Sequence, residues 1–197
     1  VNNGLLTTNV AIYFGSLSGT TFIPSTNAQS ISGSGILRNA TSGSTGSVVI
    51  FEVYNSNPAG LTLNVPFTIT GTTYLDQGPL NINGNTLSLN GAITYGTGTI
   101  KGSPASNLVI GGTALNQTLN FTPGSDSLNN LTLTTGSSAT LGTTLDVYGT
   151  ISLTSATLNL AAKNLTLKSN ATNTARIANL TGSTLSGATN VTMERYI

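Results

Sequence analysis

Short triplets with apolar residues at both ends return along this chain at near-regular intervals. Other triplets of the same kind lie between them, including Ile93–Tyr95, Leu145–Val147 and Leu165–Leu167. Because a fixed repeat length is typical of solenoid proteins, we predict a repeat that holds about three short strands in each unit. The triplets that mark the interval begin roughly 20 to 23 residues apart and are Leu87–Leu89, Leu108–Ile110, Leu131–Leu133 and Ile151–Leu153.

Two all-β architectures compete for this pattern. An immunoglobulin-like sandwich would show hairpin signals and antiparallel neighbours, whereas a parallel β-helix would show like positions recurring at the coil length. No window keeps the apolar spacing of an amphipathic helix. The recurring triplets favour the second architecture. The predicted fold is therefore an all-β parallel β-helix, or β-solenoid, with about three short strands per coil of roughly 20 to 23 residues.

Side-chain directions follow from the alternation within each triplet. The two flanking residues point into the bore and the middle residue points to solvent, because successive strand residues face opposite sides. An asparagine precedes several triplets, which predicts left-handed coil corners with amides that hydrogen-bond from one coil to the next. These corner residues are Asn107, Asn130, Asn164 and Asn190.

The pattern divides the chain into two parts. Residues 1–60 have looser spacing and long Ser/Gly/Thr stretches, which predicts longer-looped coils or a cap, and residues 61–197 carry the regular repeats. The chain starts without an initiator Met or a signal-like segment and ends within a strand-like run, Val191–Ile197. We therefore expect it to be a fragment of a longer protein.

Composition predicts a neutral, hydroxyl-rich surface. Charged residues make up 6% of the chain, against about 25% in typical domains, and the net charge is +1. Such a balance gives no field for gathering phosphates, so it argues against nucleic-acid and membrane-surface partners. Polar residues interrupt every apolar run, so no membrane insertion is expected. The chain has no Cys.

Four stretches resemble the repeats of very large, adhesin-like surface proteins of Bacteroidetes. They are Leu87–Ser103, Ser106–Gly112, Ser127–Leu133 and Gly187–Ile197. The resemblance implies a protein secreted by the type IX system to the bacterial cell surface, where it serves in attachment or gliding. It implies surface glycans or other cell-surface components as partners, together with the rest of a larger parent chain, and no cofactor.

Catalytic residues are scarce in this sequence. It has no His or Cys, and its acids number five. Asp126 and Asp146 lie about one coil apart, so they could stack at a carboxylate spacing used in glycoside hydrolysis, although surface acids explain them better. No metal site is expected, because oxygen cages draw on several clustered carboxylates. Ser127 lies in an Asp-Ser-Leu sequence that resembles the O-glycosylation site of Bacteroidetes, which makes it a candidate glycan carrier.

Three functions follow from these observations. The preferred hypothesis is a structural and adhesive segment of a large secreted surface protein, with no enzyme activity. The alternative is a polysaccharide-binding or polysaccharide-degrading β-helix domain, which tyrosines beside acids would support. The third is an ice-binding solenoid, which requires a flat face of aligned threonines. The tyrosines that bear on the alternative are Tyr13, Tyr54, Tyr74 and Tyr95.

Overall fold

The computed structural model describes residues 6–7, 11–18, 21–33, 37–38, 50–112, 116–178, 180–187 and 191–197. All the regular secondary-structure elements in these ranges are β-strands. In the first half they are β1 Leu6–Thr7, β2 Ala11–Phe14, β3 Ser16–Ser18, β4 Thr21–Ile23, β5 Gln29–Ile31, β6 Leu37–Arg38, β7 Ile50–Tyr54, β8 Leu61–Leu63, β9 Phe67–Ile69, β10 Thr72–Gln77, β11 Pro79–Asn81, β12 Thr86–Leu89 and β13 Ile93–Tyr95. In the second half they are β14 Thr99–Lys101, β15 Asn107–Ile110, β16 Gln117–Leu119, β17 Ser127–Leu128, β18 Asn130–Leu133, β19 Ser138–Leu141, β20 Leu145–Val147, β21 Thr150–Leu153, β22 Thr157–Asn159, β23 Leu165–Leu167, β24 Arg176–Ile177, β25 Thr184–Ser186 and β26 Val191–Met193.

The strands stack as a parallel β-solenoid of about five turns. One ladder of six parallel strands, in the order β9, β12, β15, β18, β21 and β24, runs from Phe67 to Ile177. Between neighbouring strands of this ladder the chain supplies two further strands, so each coil holds three. The predicted fold class is confirmed.

The other two sides of the solenoid are each built from two four-stranded sheets. On one side β2, β7, β10 and β13 form the first sheet, and β16, β19, β22 and β25 form the second. On the other side β5, β8, β11 and β14 are followed by β17, β20, β23 and β26. On both sides the first sheet ends before the coil that follows β14, although Ile100 still pairs with Phe121 through an isolated parallel bridge, while the six-stranded ladder continues through this coil.

The recurring triplets stack directly on one another. Leu87 pairs with Leu108, Leu108 with Leu131, and Leu131 with Ile151. All four side chains have no solvent exposure. Since like residues lie above one another at each step, the coil length fixes which side chains fill the bore, as the sequence pattern predicted.

Two aromatic contacts extend the bore toward the earlier strands. The rings of Phe14 and Phe51 lie 5.3 Å apart, and Phe51 lies 5.3 Å from Phe67. These spacings are within the range of favourable aromatic pairs. The apolar core therefore extends continuously from the described N-terminal strands into the regular coils.

The corner asparagines are partly as predicted. The Asn130 Nδ2 donates to Asn107 Oδ1 at 2.9 Å, and Asn130 Oδ1 accepts the Thr150 N–H at 2.8 Å. This is the expected amide ladder. The left-handed conformation was assigned to the wrong asparagines, because Asn107 and Asn130 begin extended strands while positive φ occurs at Asn83 (52°) and Asn116 (56°). Asn190 lies outside the described residues.

The earliest coils are longer than those that follow. β2 pairs in parallel with β7, Ile12 opposite Phe51, although the hairpin of β3 and β4 lies between them in the chain. This hairpin is the one antiparallel pair among the described strands. The additional residues therefore leave the coil and return to it without breaking the ladder.

The C-terminal end of the solenoid is open. Val191 and Met193 stack on Leu165 and Leu167, which are fully buried. The two terminal side chains, in contrast, are 42% and 67% exposed. The bore columns thus end in apolar side chains that face solvent.

Candidate binding site

An aromatic and acidic surface covers the outer side of β2, β7 and β10. Register places Tyr13 opposite Glu52, and Glu52 opposite Tyr74, so one carboxylate lies between two tyrosines along the solenoid axis. These are outward positions, because the alternating residues Phe51 and Val53 of β7 are buried. We call the whole surface the tyrosine–acid patch, and it consists of Tyr13, Phe22, Glu52, Tyr54, Tyr74 and Asp76.

The β3–β4 hairpin supplies the aromatic ring that joins the two sides of the patch. The Phe22 ring contacts Tyr13 edge-on at 5.6 Å and lies 5.6 Å from Tyr54. Gly15 permits this approach, because a Cβ there would lie 2.2 Å from the Phe22 ring. Tyr13 remains 54% exposed. The three rings therefore form a supported surface with one broad face open to solvent.

The two acids of the patch come from neighbouring coils. Glu52 lies in β7, and Asp76 lies at an irregularity of β10 where the register with β7 shifts. Partial burial raises the pKa of Glu52, and the Asp76 carboxyl raises it further through charge repulsion and a hydrogen bond. The two carboxyls place several hydrogen-bond acceptors side by side on the patch.

The sheet that carries the patch is acidic rather than basic. Strands β2, β7, β10 and β13 contain Glu52 and Asp76 and no Lys or Arg. Among the residues that the structure describes, no group of three or more His, Cys, Asp or Glu could hold a metal ion. Aromatic faces beside hydrogen-bonding carboxyls suit a neutral, hydroxyl-rich ligand better than an anion or a metal.

Tyr95 belongs to a different environment from the other tyrosines. It pairs with the buried Leu75 and packs against the core. Its hydroxyl donates to the Thr118 carbonyl at 2.9 Å and accepts the Asn120 N–H at 3.2 Å. Burial raises the pKa of Tyr95 to about 12, and the hydrogen bond from Asn120 opposes that rise. Tyr95 is therefore a structural link between β13 and the coil containing β16.

The structure places Asp126 and Asp146 on consecutive coils, but with separate partners. Asp126 accepts a hydrogen bond from the Thr144 hydroxyl. Asp146 pairs with Lys168, with 3.7 Å between Oδ2 and Nζ. Each carboxylate thus has a coil-to-coil contact of its own.

Ser127 lies in the outward column that contains Asp146. It begins β17, pairs with Asp146 and is half-buried. Attachment of a glycan at Ser127 remains a prediction. The half-buried position means that a sugar on its hydroxyl would lie close against the neighbouring coil.

A small charge network lies further along the same side. Lys168 contacts both Asp146 and Glu194. The hydrogen bond between Lys168 and Glu194 raises the pKa of Lys168 and lowers that of Glu194. These groups are partly exposed at the surface, where ion pairs add little stability. Because Lys168 contacts an acid on each of its two neighbouring coils, the network is a link between coils.

Outward threonines do not form a uniform array on the described six-stranded ladder. Its central column combines Thr68, Ser88, Val109 and Thr132. The four-stranded sheet that begins at β16 likewise mixes Thr with Ser and Asn. These mixed columns do not supply the flat threonine face that the ice-binding hypothesis requires.

Sequence reasoning identified the tyrosines of the patch but not their complete surroundings. It singled out Asp126 and Asp146 because they lie about one coil apart, yet Glu52 and Asp76 satisfy the same criterion. Applying the coil spacing to every acid would have found the second pair. Phe22 had no such signal, because its position depends on a hairpin outside the repeat.

Comparison of this chain with protein-family models, with curated proteins and with solved structures yields no match. Within the described residues there is no helix with the length and apolar character needed to cross a membrane. The fold and the patch define a β-solenoid with one aromatic, acidic surface on its side. The function has to be inferred from these features of the chain itself.

Proposed function

We propose that this chain is a structural and adhesive segment of a secreted, cell-surface protein, serving as a stalk or contact surface in attachment or gliding. The observation that carries the proposal is the stack of parallel coils around a buried bore, with a largely uncharged, polar exterior. Stacked coils project distal parts of a parent chain, since each coil contacts only its neighbours. Surface glycans or other cell-surface components are the proposed partners.

The exterior supports a contact role. With a net charge of +1, the protein does not select partners by long-range attraction. Outward Thr, Ser and Asn side chains instead offer many short-range hydrogen-bonding groups. Repetition of weak contacts along one rigid body converts them into firm attachment through effective concentration.

Accessibility on intact cells tests the proposed location. Intact, unpermeabilised source cells would be treated with a protease in excess, and the chain would then be detected with an antibody raised against its unfolded form. We expect the antibody signal to be lost or shortened in treated cells while a cytoplasmic marker is unchanged. Full retention of the signal after treatment, with complete digestion after cell lysis, would overturn the proposal.

Polysaccharide binding is a second candidate, and the tyrosine–acid patch is the specific observation that favours it. Aromatic rings stack on the apolar faces of sugars, and carboxyls bind sugar hydroxyls. Catalysis receives less support, because Glu52 and Asp76 interact with each other, whereas glycosidases leave about 5 Å or more between their two carboxyls for the substrate or a water molecule. The chain is therefore proposed to hold a glycan rather than to cleave it.

A further inference from the structure

We propose that the tyrosine–acid patch binds a neutral, extended pyranose chain that lies parallel to the solenoid axis. The inference rests on the contact role proposed above and adds a site, a ligand class and an orientation. It is carried by the column Tyr13, Glu52 and Tyr74, together with the ring of Phe22.

The direction of the ligand follows from the direction of the column. Neighbouring strands lie about 4.8 Å apart, so Tyr13 and Tyr74, two strands apart, are separated along the axis by about 10 Å. This distance is comparable to the length of a disaccharide unit in an extended glycan. One sugar can therefore contact each tyrosine, while Glu52 lies opposite the linkage between them.

The aromatic groups are held in place before the ligand binds. Phe22 contacts both Tyr13 and Tyr54, which restricts the rotation of each ring. A surface whose side chains are already ordered loses less conformational entropy on binding. The exposed face of Tyr13 thus provides a rigid platform, whereas an isolated surface tyrosine would have to be immobilised by the ligand.

The acids define the chemical class of the ligand. Glu52 and Asp76 can accept hydrogen bonds from sugar hydroxyls. The four strands of this sheet contain no Lys or Arg, so the carboxylate or sulfate groups of an acidic glycan would find no positive charge there. An acidic glycan would be repelled by the pair. We therefore expect neutral glucose- or xylose-based chains to bind and polygalacturonate to bind at least tenfold more weakly.

Calorimetric titration of the full 197-residue chain with cellohexaose, xylohexaose and oligogalacturonate tests this assignment. We expect at least one neutral hexaose to bind. Tyr13→Ala should weaken that binding about tenfold, because it removes one stacking face. Tyr13→Phe, which keeps the ring, should stay within about twofold of the unaltered protein.

Two variants separate the site from general surface effects. Tyr196→Ala removes a tyrosine that is 61% exposed at the other end of the molecule, and it should leave affinity unchanged. Glu52→Gln keeps the shape of the side chain but loses the charge, so it should weaken the neutral hexaose several-fold and reduce discrimination against oligogalacturonate. Thermal unfolding curves of each variant would verify that the fold is intact.

The outcomes separate this inference from the proposed function. Failure of both neutral hexaoses to bind, or equal weakening by Tyr13→Ala and Tyr196→Ala, would overturn the assigned site even if the protease experiment places the chain on the cell surface. Binding that depends on Tyr13 would support the site. If the same chain proves inaccessible on intact cells, the cell-surface role fails and the glycan site stands.

Discussion

At the scale of single residues, the buried polar groups of the solenoid differ in how well their hydrogen-bonding capacity is satisfied. Asn55 is fully buried, and its Nδ2 donates to the Asn27 carbonyl and to Gln29 Oε1, each at 2.9 Å. Its Oδ1 accepts the Asn57 N–H at 2.8 Å. The Asn55 side chain therefore adds to the backbone pairing between Asn55 and Ser25 and links two coils at a corner.

Replacing Asn55 with Ala should lower the free energy of unfolding by about 2 kcal/mol, because it leaves buried donors and acceptors without partners. Urea denaturation followed by circular dichroism measures this change. Asn64→Ala is the matched control, since Asn64 also bonds to neighbouring coils but is exposed, and its cost should be well below 1 kcal/mol. Equal costs for the two variants would contradict the role assigned to Asn55.

Thr73 is the opposite case. It occupies an inward position between Phe51 and Ile93, is 1% exposed, and its Oγ1 has no hydrogen-bond partner among the described residues. A buried hydroxyl without a partner is destabilising. The position thus has the shape of a valine and the polarity of a threonine.

We expect Thr73→Val to raise the free energy of unfolding by about 1 kcal/mol, because it replaces the hydroxyl with a methyl group of similar size. The same denaturation experiment measures it. Thr73→Ser keeps the hydroxyl and removes a methyl group, so it should lower stability by about 1 kcal/mol. A loss of stability in the valine variant would show that the hydroxyl has a partner after all.

At the scale of elements, the sequence predicted the parallel pairing of strands from coil to coil, but it did not predict where a sheet ends and a new one begins. The triplets mark strands of the continuous ladder, and their spacing indicates which strands stack. On a neighbouring side, however, β13 and β16 belong to separate sheets. The Tyr95 hydroxyl connects the two by bonding to Thr118 and Asn120. A side chain thereby bridges a gap in the backbone hydrogen bonds.

Tyr95→Phe should weaken this connection and remove a component of the pH dependence of stability. The pKa of Tyr95 is raised to about 12 in the folded protein, above the usual value of about 10. Between these two pH values the folded protein therefore keeps the Tyr95 hydroxyl proton, which the unfolded chain releases. This contribution is complete below about pH 10 and is lost as the pH rises toward 12. Melting temperatures measured from pH 8 to pH 11.5 should fall more steeply for the unaltered protein than for the variant, and parallel curves would contradict the assignment.

At the scale of the whole molecule, the last strands of this chain present unpaired edges and exposed apolar side chains. β24, β25 and β26 end their respective sheets, and Met193 is 67% exposed above the buried Leu167. Exposed strand edges with apolar side chains favour pairing with other chains. The isolated 197-residue chain is therefore expected to self-associate through this end.

Met193→Lys should suppress that association, because it places a charge at the open edge. Sedimentation velocity over a range of protein concentrations measures the effect. Thr118→Lys is the control, as it adds the same charge at an exposed outward position within the solenoid. Association that persists in Met193→Lys, or disappears equally in both variants, would contradict a role for the terminal edge.

The sequence alone determined the coil, because alternation of side chains and recurrence of like residues are properties that each strand carries locally. Leu87, Leu108, Leu131 and Ile151 could thus be assigned to one buried column before any coordinates were known. Only the tertiary structure decided which polar side chains meet. Coils of unequal length and a hairpin outside the repeat bring Glu52 beside Asp76 and Phe22 onto Tyr13. Such contacts depend on the register of distant segments, which packing of the whole solenoid sets.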